Sequence, residues 1–301
     1  MPCLIRESRS GVELAALPRR ASAAEPARRR RARRNTLLIV GAALVGVAVT
    51  LALVGLVYTP HDPNAMRAAE RGLGPTASHL AGTDQYGRDI LSRTMRGAAL
   101  ALYVGLVAVS IGLAAGGPLG ALAGMLGGWA DEAIMRTMDG LLAFPAILLA
   151  MAIVGVLGRG LANTMLAIGV AYVPVFARLA RASVMGELEA GYVEAARATG
   201  CRAGRIVWVH ILPNGLAPLV VQATVAFGGA ILAEAALSYL GLGVQPPDPS
   251  WGQMLDDARN YLGVAPWLAV FPGLILASTV LGFNLLGDGL RDYLDPQRRG
   301  A

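Results

Sequence analysis

The chain has 301 residues, 55% of them hydrophobic and only 15% charged, with a formal net charge of +6. A soluble domain carries roughly 25% charged residues to cover its surface, so the solvent for much of this chain is lipid. All 26 basic residues are Arg; without Lys there is no Schiff-base lysine, no Ser-Lys dyad and no Gly-Lys-Ser/Thr phosphate loop. Any ATP hydrolysis that drives the protein belongs to another chain.

Residues Met1–Asn35 hold ten Arg against Glu7, Glu13 and Glu25, densest at Arg28–Arg34 and ending directly against an apolar run. A signal peptide has a shorter charged region and a small-residue cleavage site. The tail therefore reads as a disordered cytoplasmic arm that rests on anionic headgroups and orients the first span.

Six charge-poor segments follow. Thr36–Tyr58 is long enough to cross a hydrocarbon layer of about 30 Å. Gly97–Ala130 is too long for one straight span, and Gly116-Gly117-Pro118 predicts either one long helix that bends there or a span plus a short interfacial piece. Gly140–Gly158 and Gly160–Ala177 are separated only by Arg159, which predicts a tight turn; Asn214–Leu242 and Tyr261–Gly287 complete the set. The fold class is thus an all-α integral membrane protein of six transmembrane helices. An external loop covers 59–96, a cytoplasmic loop covers 178–213, and a short cytoplasmic tail covers 291–301. With the N-terminus inside, cytoplasmic segments hold nineteen Arg and external ones seven, so the positive-inside rule puts both termini in the cytoplasm.

Within the spans, Gly112, Gly116, Gly120, Gly124 and Gly128 recur every fourth residue. Small residues at this spacing let helices approach closely in lipid. The row spirals by about 40° per step, and it serves either packing within the chain or contact with a partner subunit. Glu234 lies near the outer end of the fifth span, where it either lines or gates a path or is a snorkelling or hydrogen-bonded interfacial residue. Glu132, Arg136 and Asp139 share one helical face and predict an ion-paired stripe, followed by a kink at Phe144-Pro145.

Enzyme chemistry is not visible. Cys3 and Cys201 make no disulfide framework. His61, His79 and His210 are scattered in sequence without a carboxylate or Cys at ligand spacing, so no metal site is expected. Neither a Gly-x-Ser-x-Gly elbow nor a Gly-x-Gly-x-x-Gly turn occurs.

The 178–213 loop is the most informative stretch. Tyr192–Ala198 predicts a helix, Gly200 a stop where the backbone enters the left-handed region, and Arg202–Ile211 a second helix halted by Pro213. Helix–glycine–helix across the membrane mouth is either a docking knob for a soluble partner or an interfacial amphipathic hairpin.

The residues Glu194-Ala195-Ala196, Gly200 and His210-Ile211-Leu212-Pro213-Asn214 resemble the EAA loop of permease subunits of ATP-binding-cassette importers. HLAGTDQYGRDILSR (His79–Arg93), DEAIMRTMDGLLAFP (Asp131–Pro145), EAALSYLGLGVQPPDPSWGQML (Glu234–Leu255) and NLLGDGLRDYLDP (Asn284–Pro296) extend the likeness. Together they resemble the second permease of dipeptide, oligopeptide and nickel uptake systems. The resemblance implies a type I importer (MetI-like) fold and a coupling helix that docks an ATPase through Tyr192, Glu194, Ala195, Ala196, Arg197, Thr199 and Gly200. It implies a homologous second permease, two ATPase subunits that bind the ATP, and an external substrate-binding protein; this chain itself holds no cofactor. Membrane lipid is the remaining partner, and nucleic acid is not among them. A stand-alone channel or secondary transporter is the competing function; it would show buried ionisable pairs or broken-helix repeats. A membrane enzyme would need a nucleophile and base, or metal ligands, at one depth.

Overall fold

The computed structural model describes residues 24–201 and 203–294. They form helices α1 (Ala24–Val57), α2 (Ile90–Leu126), α3 (Gly128–Leu142), α4 (Ala146–Leu157), α5 (Leu161–Leu188), α6 (Gly191–Ala198), α7 (Ala203–Ile206), α8 (Leu212–Tyr239), α9 (Trp251–Ala258) and α10 (Trp267–Leu294). The described residues contain no strand, only an isolated bridge between Thr83 and Asp89. Five helices are long and apolar enough to cross a membrane, and α3 with α4, bent by 88°, pass the same test as a pair, which gives up to six crossings where the pair counts as one span. The all-α membrane architecture expected from composition is the one observed.

The helix ends differ from the hydropathy boundaries, each for a local reason. α1 starts at Ala24, inside the stretch read as a disordered arm; residues 1–23 lie outside the described residues. α2 starts at Ile90, earlier than the charge-free run, because the Asp89 carboxylate accepts from Ser92 N–H and caps it. The helix then continues unbroken through Gly116-Gly117-Pro118, and the chain turns at Gly127 and Gly128, both at positive φ. Close packing on both sides of Pro118 holds the helix together despite the missing N–H. The third span is not the single run 140–158. It is broken at Phe144-Pro145, as the kink signal indicated, because Pro145 removes a donor and restricts the residue before it. Gly158 (φ +95°) and Gly160 (φ +140°) make the turn around Arg159, which Asn163 closes by donating to the carbonyls of Leu157 and Gly158, 3.0 Å each.

The glycine row resolves in favour of packing within the chain. A Cβ on Gly116 would lie 2.3 Å from the Val173 carbonyl oxygen and one on Gly120 2.0 Å from that of Ala177. Gly112 meets Tyr172 and Phe176, and Gly124 meets Arg181 and Val184. All four face α5, which follows the drift of the row; Gly128 has left the helix and touches nothing. The largest buried cluster gathers around this seam, with Phe176, Ile168, Val104 and Val154 at its centre.

α1 and α10 pack antiparallel: Gly41 abuts Leu286 and Gly289 abuts Leu38. The start of α1 and the end of α10 therefore lie at one end of the molecule. α10 also runs antiparallel to α8, with Gly287 against Val225 and Gly228 against Val280 and Phe283, which brings the start of α8 and the α6–α7 hairpin to that same end. The opposite end carries the 58–89 loop and the segment around α9. Trp251 of α9 donates its indole N–H to the Thr94 carbonyl of α2 at 3.0 Å, Trp267 of α10 reaches the Thr83 carbonyl of the loop at 3.4 Å, and Arg88 of the loop reaches Asp257 of α9 at 3.4 Å.

Candidate functional site

The α6–α7 hairpin is built on a four-residue apolar anchor. Val193 of α6, Ile206 of α7, Ile211 and Val184 of α5 are buried against one another, flanked by Leu188, Ala196, Cys201 and Val207. α5 itself runs to Leu188, well past the expected membrane exit at Ala177, so the hairpin stands on a protruding stalk and the connecting loop is shorter than 178–213.

Gly200 ends α6 at φ +78°. The Cys201 N–H donates to the Ala196 carbonyl at 3.1 Å, and the Cys201 and Ala196 side chains both pack on the apolar anchor. This is the 6→1 bond and hydrophobic contact of a Schellman cap. α7 is only one turn and passes through a π-helical turn, Val207–Ile211, straight into α8. Pro213 does not halt a helix; it occupies the first turn of α8, where a missing N–H is harmless. Arg202 lies outside the described residues.

The expected docking residues share this hairpin. Tyr192, Glu194, Ala195, Thr199 and Gly200 are exposed, Ala196 is half-buried, and Arg197 sits on α6 with its side chain outside the described set. Tyr192 donates to the Glu187 carboxylate and accepts from Asn214 Nδ2 at 3.2 Å. It thereby ties α6 to both α5 and α8. Partial desolvation of the hydroxyl between its partners, reinforced by the Glu187 carboxylate, holds Tyr192 above its ordinary pKa.

Beside the hairpin, α3 is clamped to α5. Arg181 grips Asp131 bidentately, Nε at 2.5 Å and Nη2 at 2.6 Å, and Arg178 reaches Asp139 at 2.5 Å. The predicted stripe is therefore only partly local. Glu132 and Arg136 pair at 3.5 Å in full exposure, whereas Asp139 turns to the neighbouring helix. These groups line an open cleft of about 550 Å³.

At the opposite end Glu234 is 1% exposed. Its Oε1 accepts from Ser238 Oγ at 2.7 Å and Ser250 Oγ at 2.8 Å. Those hydroxyls in turn accept from the backbone N–H groups of Val244 and Gly252. One carboxylate thus fastens the loop after α8 and the N-cap of α9 to the end of the span. It is hydrogen-bonded and enclosed, not snorkelling. Sequence reasoning also missed a cluster here: His61 and His79, scattered in sequence, stack with ring centroids 4.4 Å apart beside Asp89.

Residues 116–300 match the family described as "Binding-protein-dependent transport system inner membrane component". The chain is 47% identical over 267 residues to the dipeptide transport system permease protein DppC of Alkalihalophilus pseudofirmus, covering 89% of this chain and 88% of that protein. It is 52% identical over 228 residues to the di/tripeptide transport system permease protein DppC of Pseudomonas aeruginosa (76% and 75%). It is 42% identical over 269 residues to the glutathione transport system permease protein GsiD of Pectobacterium atrosepticum (89% of each). Among solved structures, an inward-facing conformation of the MetNI methionine ABC transporter superposes with a TM-score of 0.56 at 22% identity, over 67% of this chain and 96% of that one. That likeness establishes the MetI-like fold.

Proposed function

The chain belongs to the binding-protein-dependent transport system inner membrane components, the permease subunits of ATP-binding-cassette importers, and we propose that separate ATPase chains drive it through the α6–α7 hairpin. It is an inner-membrane transport subunit and not an enzyme. The stand-alone channel reading gives way to the family match.

The observation that carries the docking proposal is the division of the hairpin into two faces. Val193, Ile206 and Ile211 bind it to α5 and α8, while the exposed side presents Glu194, Ala195, Thr199 and Gly200. Small side chains admit a close-fitting groove, and Glu194 offers a carboxylate to a partner cation or helix N-terminus. Tyr192 flanks that face, and Arg197 lies on the same helix. Two ATPases would bind and hydrolyse the ATP; one grips this hairpin and the other the matching hairpin of a homologous second permease. The coupling is as large as the difference in ATPase contact between the inward- and outward-facing states.

This places both termini and the hairpin in the cytoplasm, in line with the nineteen-to-seven arginine bias, and the 58–89 and α9 segments outside, where a substrate-binding protein delivers cargo. Glu234 enters as a gate element that holds the outer loop to α8. Di- and oligopeptides are the cargo class we infer, after the dipeptide and di/tripeptide permeases that resemble the chain.

The test replaces Glu194 with Lys, or Gly200 with Trp, in the assembled importer. Uptake and ATPase copurification are expected to fall together while the permease still reaches the membrane. Uptake that persists with no ATPase bound would overturn the docking assignment.

A further inference from the structure

The geometry points to a divalent transition-metal site formed by His61, His79 and Asp89, which clips the loop between α1 and α2 onto the start of α2. Each residue offers one ligand atom, and the three atoms lie within 4.8 Å of one another. Asp89 Oδ1 is 2.8 Å from His79 Nδ1 and 3.7 Å from His61 Nδ1. Metal–ligand bonds of about 2.0–2.1 Å in a tetrahedron set ligand atoms about 3.3 Å apart, between those two separations. The stacked rings are inclined by only 29°, so the His61 ring must tilt to aim its lone pair at the shared point. Its side chain is 27% exposed and has room to do so.

Two observations separate this from a helix-capping brace. The brace requires only Asp89 and His79, yet His61 Nδ1 is buried with no hydrogen-bond partner, and an unmet buried polar atom is unfavourable. The outer shell is also that of a metal site. A ligating histidine normally donates its second ring N–H to a carboxylate, and His79 Nε2 is 3.4 Å from Glu70 Oε2. The other carboxylate oxygen of Asp89 accepts from Ser92 N–H at 2.8 Å and Ser92 Oγ at 2.6 Å, which fixes it. Ser92 Oγ in turn accepts from the His61 backbone N–H at 3.0 Å, so one serine holds the backbone of one ligand and the carboxylate of another. Two imidazoles and a carboxylate suit Zn²⁺ and its first-row neighbours rather than Ca²⁺ or Mg²⁺. Water fills the remaining position.

The experiment uses the full chain carrying a histidine-free affinity tag, stripped with chelator in detergent, and titrated with Co²⁺ alone. The expected result is a saturable visible absorption band at one equivalent, displaced by Zn²⁺. His61→Phe keeps the ring stack and removes the ligand, so the band is lost, whereas His210→Ala retains it. Glu70→Gln leaves all three ligands in place and weakens binding about 10–100-fold; it decides the matter if the His61 variant does not fold. A wild-type chain with no saturable band overturns the site, as does binding unchanged in H61F or, where that variant does not fold, in E70Q. None of these readings depends on ATPase docking, so the site stands or falls apart from the transport proposal.

Discussion

The glycine seam makes a graded prediction. A methyl group placed on each glycine of α2 meets α5 at a different distance: 2.0 Å to the Ala177 carbonyl oxygen at Gly120, 2.3 Å to that of Val173 at Gly116, and 3.1 Å to that of Arg181 at Gly124. At Gly117, off the line of contact with α5, the nearest atom is Leu113 Cδ1 of its own helix at 3.8 Å. Bringing the Gly120 contact out to an ordinary 3.4 Å requires the helices to part by about 1.4 Å, more than the gap of about 0.5–1 Å that already forfeits a quarter to a half of the dispersion energy of a contact. Overpacking of a well-filled interior costs about 1–3 kcal/mol and sometimes more, and backbone cannot swing aside as a side chain can. Gly120→Ala and Gly116→Ala should therefore lose about 3 kcal/mol, Gly124→Ala about 1 kcal/mol, and Gly117→Ala should be neutral or gain up to about 1 kcal/mol in helix propensity. Unfolding by SDS in mixed micelles, followed by circular dichroism, ranks the four. If G120A and G117A unfold together, or the order is inverted, the α2–α5 seam is not the contact described.

Three shorter predictions follow from other sites. Gly200 sits at φ +78° with nothing within 4 Å of an added Cβ, so only backbone strain opposes a side chain; Asn should be tolerated in uptake assays while Val costs about 1–2 kcal/mol and loses activity. Trp251 is buried and bonded to the Thr94 carbonyl: Trp251→Ala should destabilise by about 3–5 kcal/mol and Trp251→Phe by about 1 kcal/mol, and equal effects in thermal unfolding would contradict the packing. Burial holds the Asp257 carboxyl above its ordinary value, against the pull of Arg88 and Arg93. The folded state then binds that proton more tightly, so the contribution is full below the unfolded pKa and lost as pH rises through the folded one. Asp257→Asn removes this loss, and a wild-type-to-variant stability difference that stays constant from acid to neutral pH would refute it.

Hydropathy located α1, α5, α8 and α10 because a lipid solvent excludes charge, and Pro145, the Gly158–Gly160 pair and Gly200 marked their breaks because backbone geometry is local. What stayed hidden was set by partners far away in sequence. α5 outlasts its apolar run because Arg178 and Arg181 find Asp139 and Asp131 on α3; a charge that ends a span in a hydropathy count need not end a helix. The facing of the glycine row could not be read from α2 alone, since the answer lies in the small and apolar residues of α5. His61 and His79 meet only once the 58–89 loop is folded.

Those same contacts set where the molecule resists deformation. The hairpin is anchored to Val184 of α5, and α5 is seated backbone to backbone on α2. The head of α2 is in turn pinned by Trp251 and by the capped Asp89. Each junction is buried and interlocked, and close-packed interiors shift between discrete arrangements rather than flex. α3 is held differently. It is joined to the rest through Gly127, Gly128 and the Phe144-Pro145 break. Its ties to α5 include the Arg178–Asp139 bridge, both side chains 52% exposed, and exposed bridges contribute about 0–1 kcal/mol. A push on the hairpin therefore meets a stiff column through α5 and α2 and a more compliant flank at α3, and that flank is where relative movement costs least.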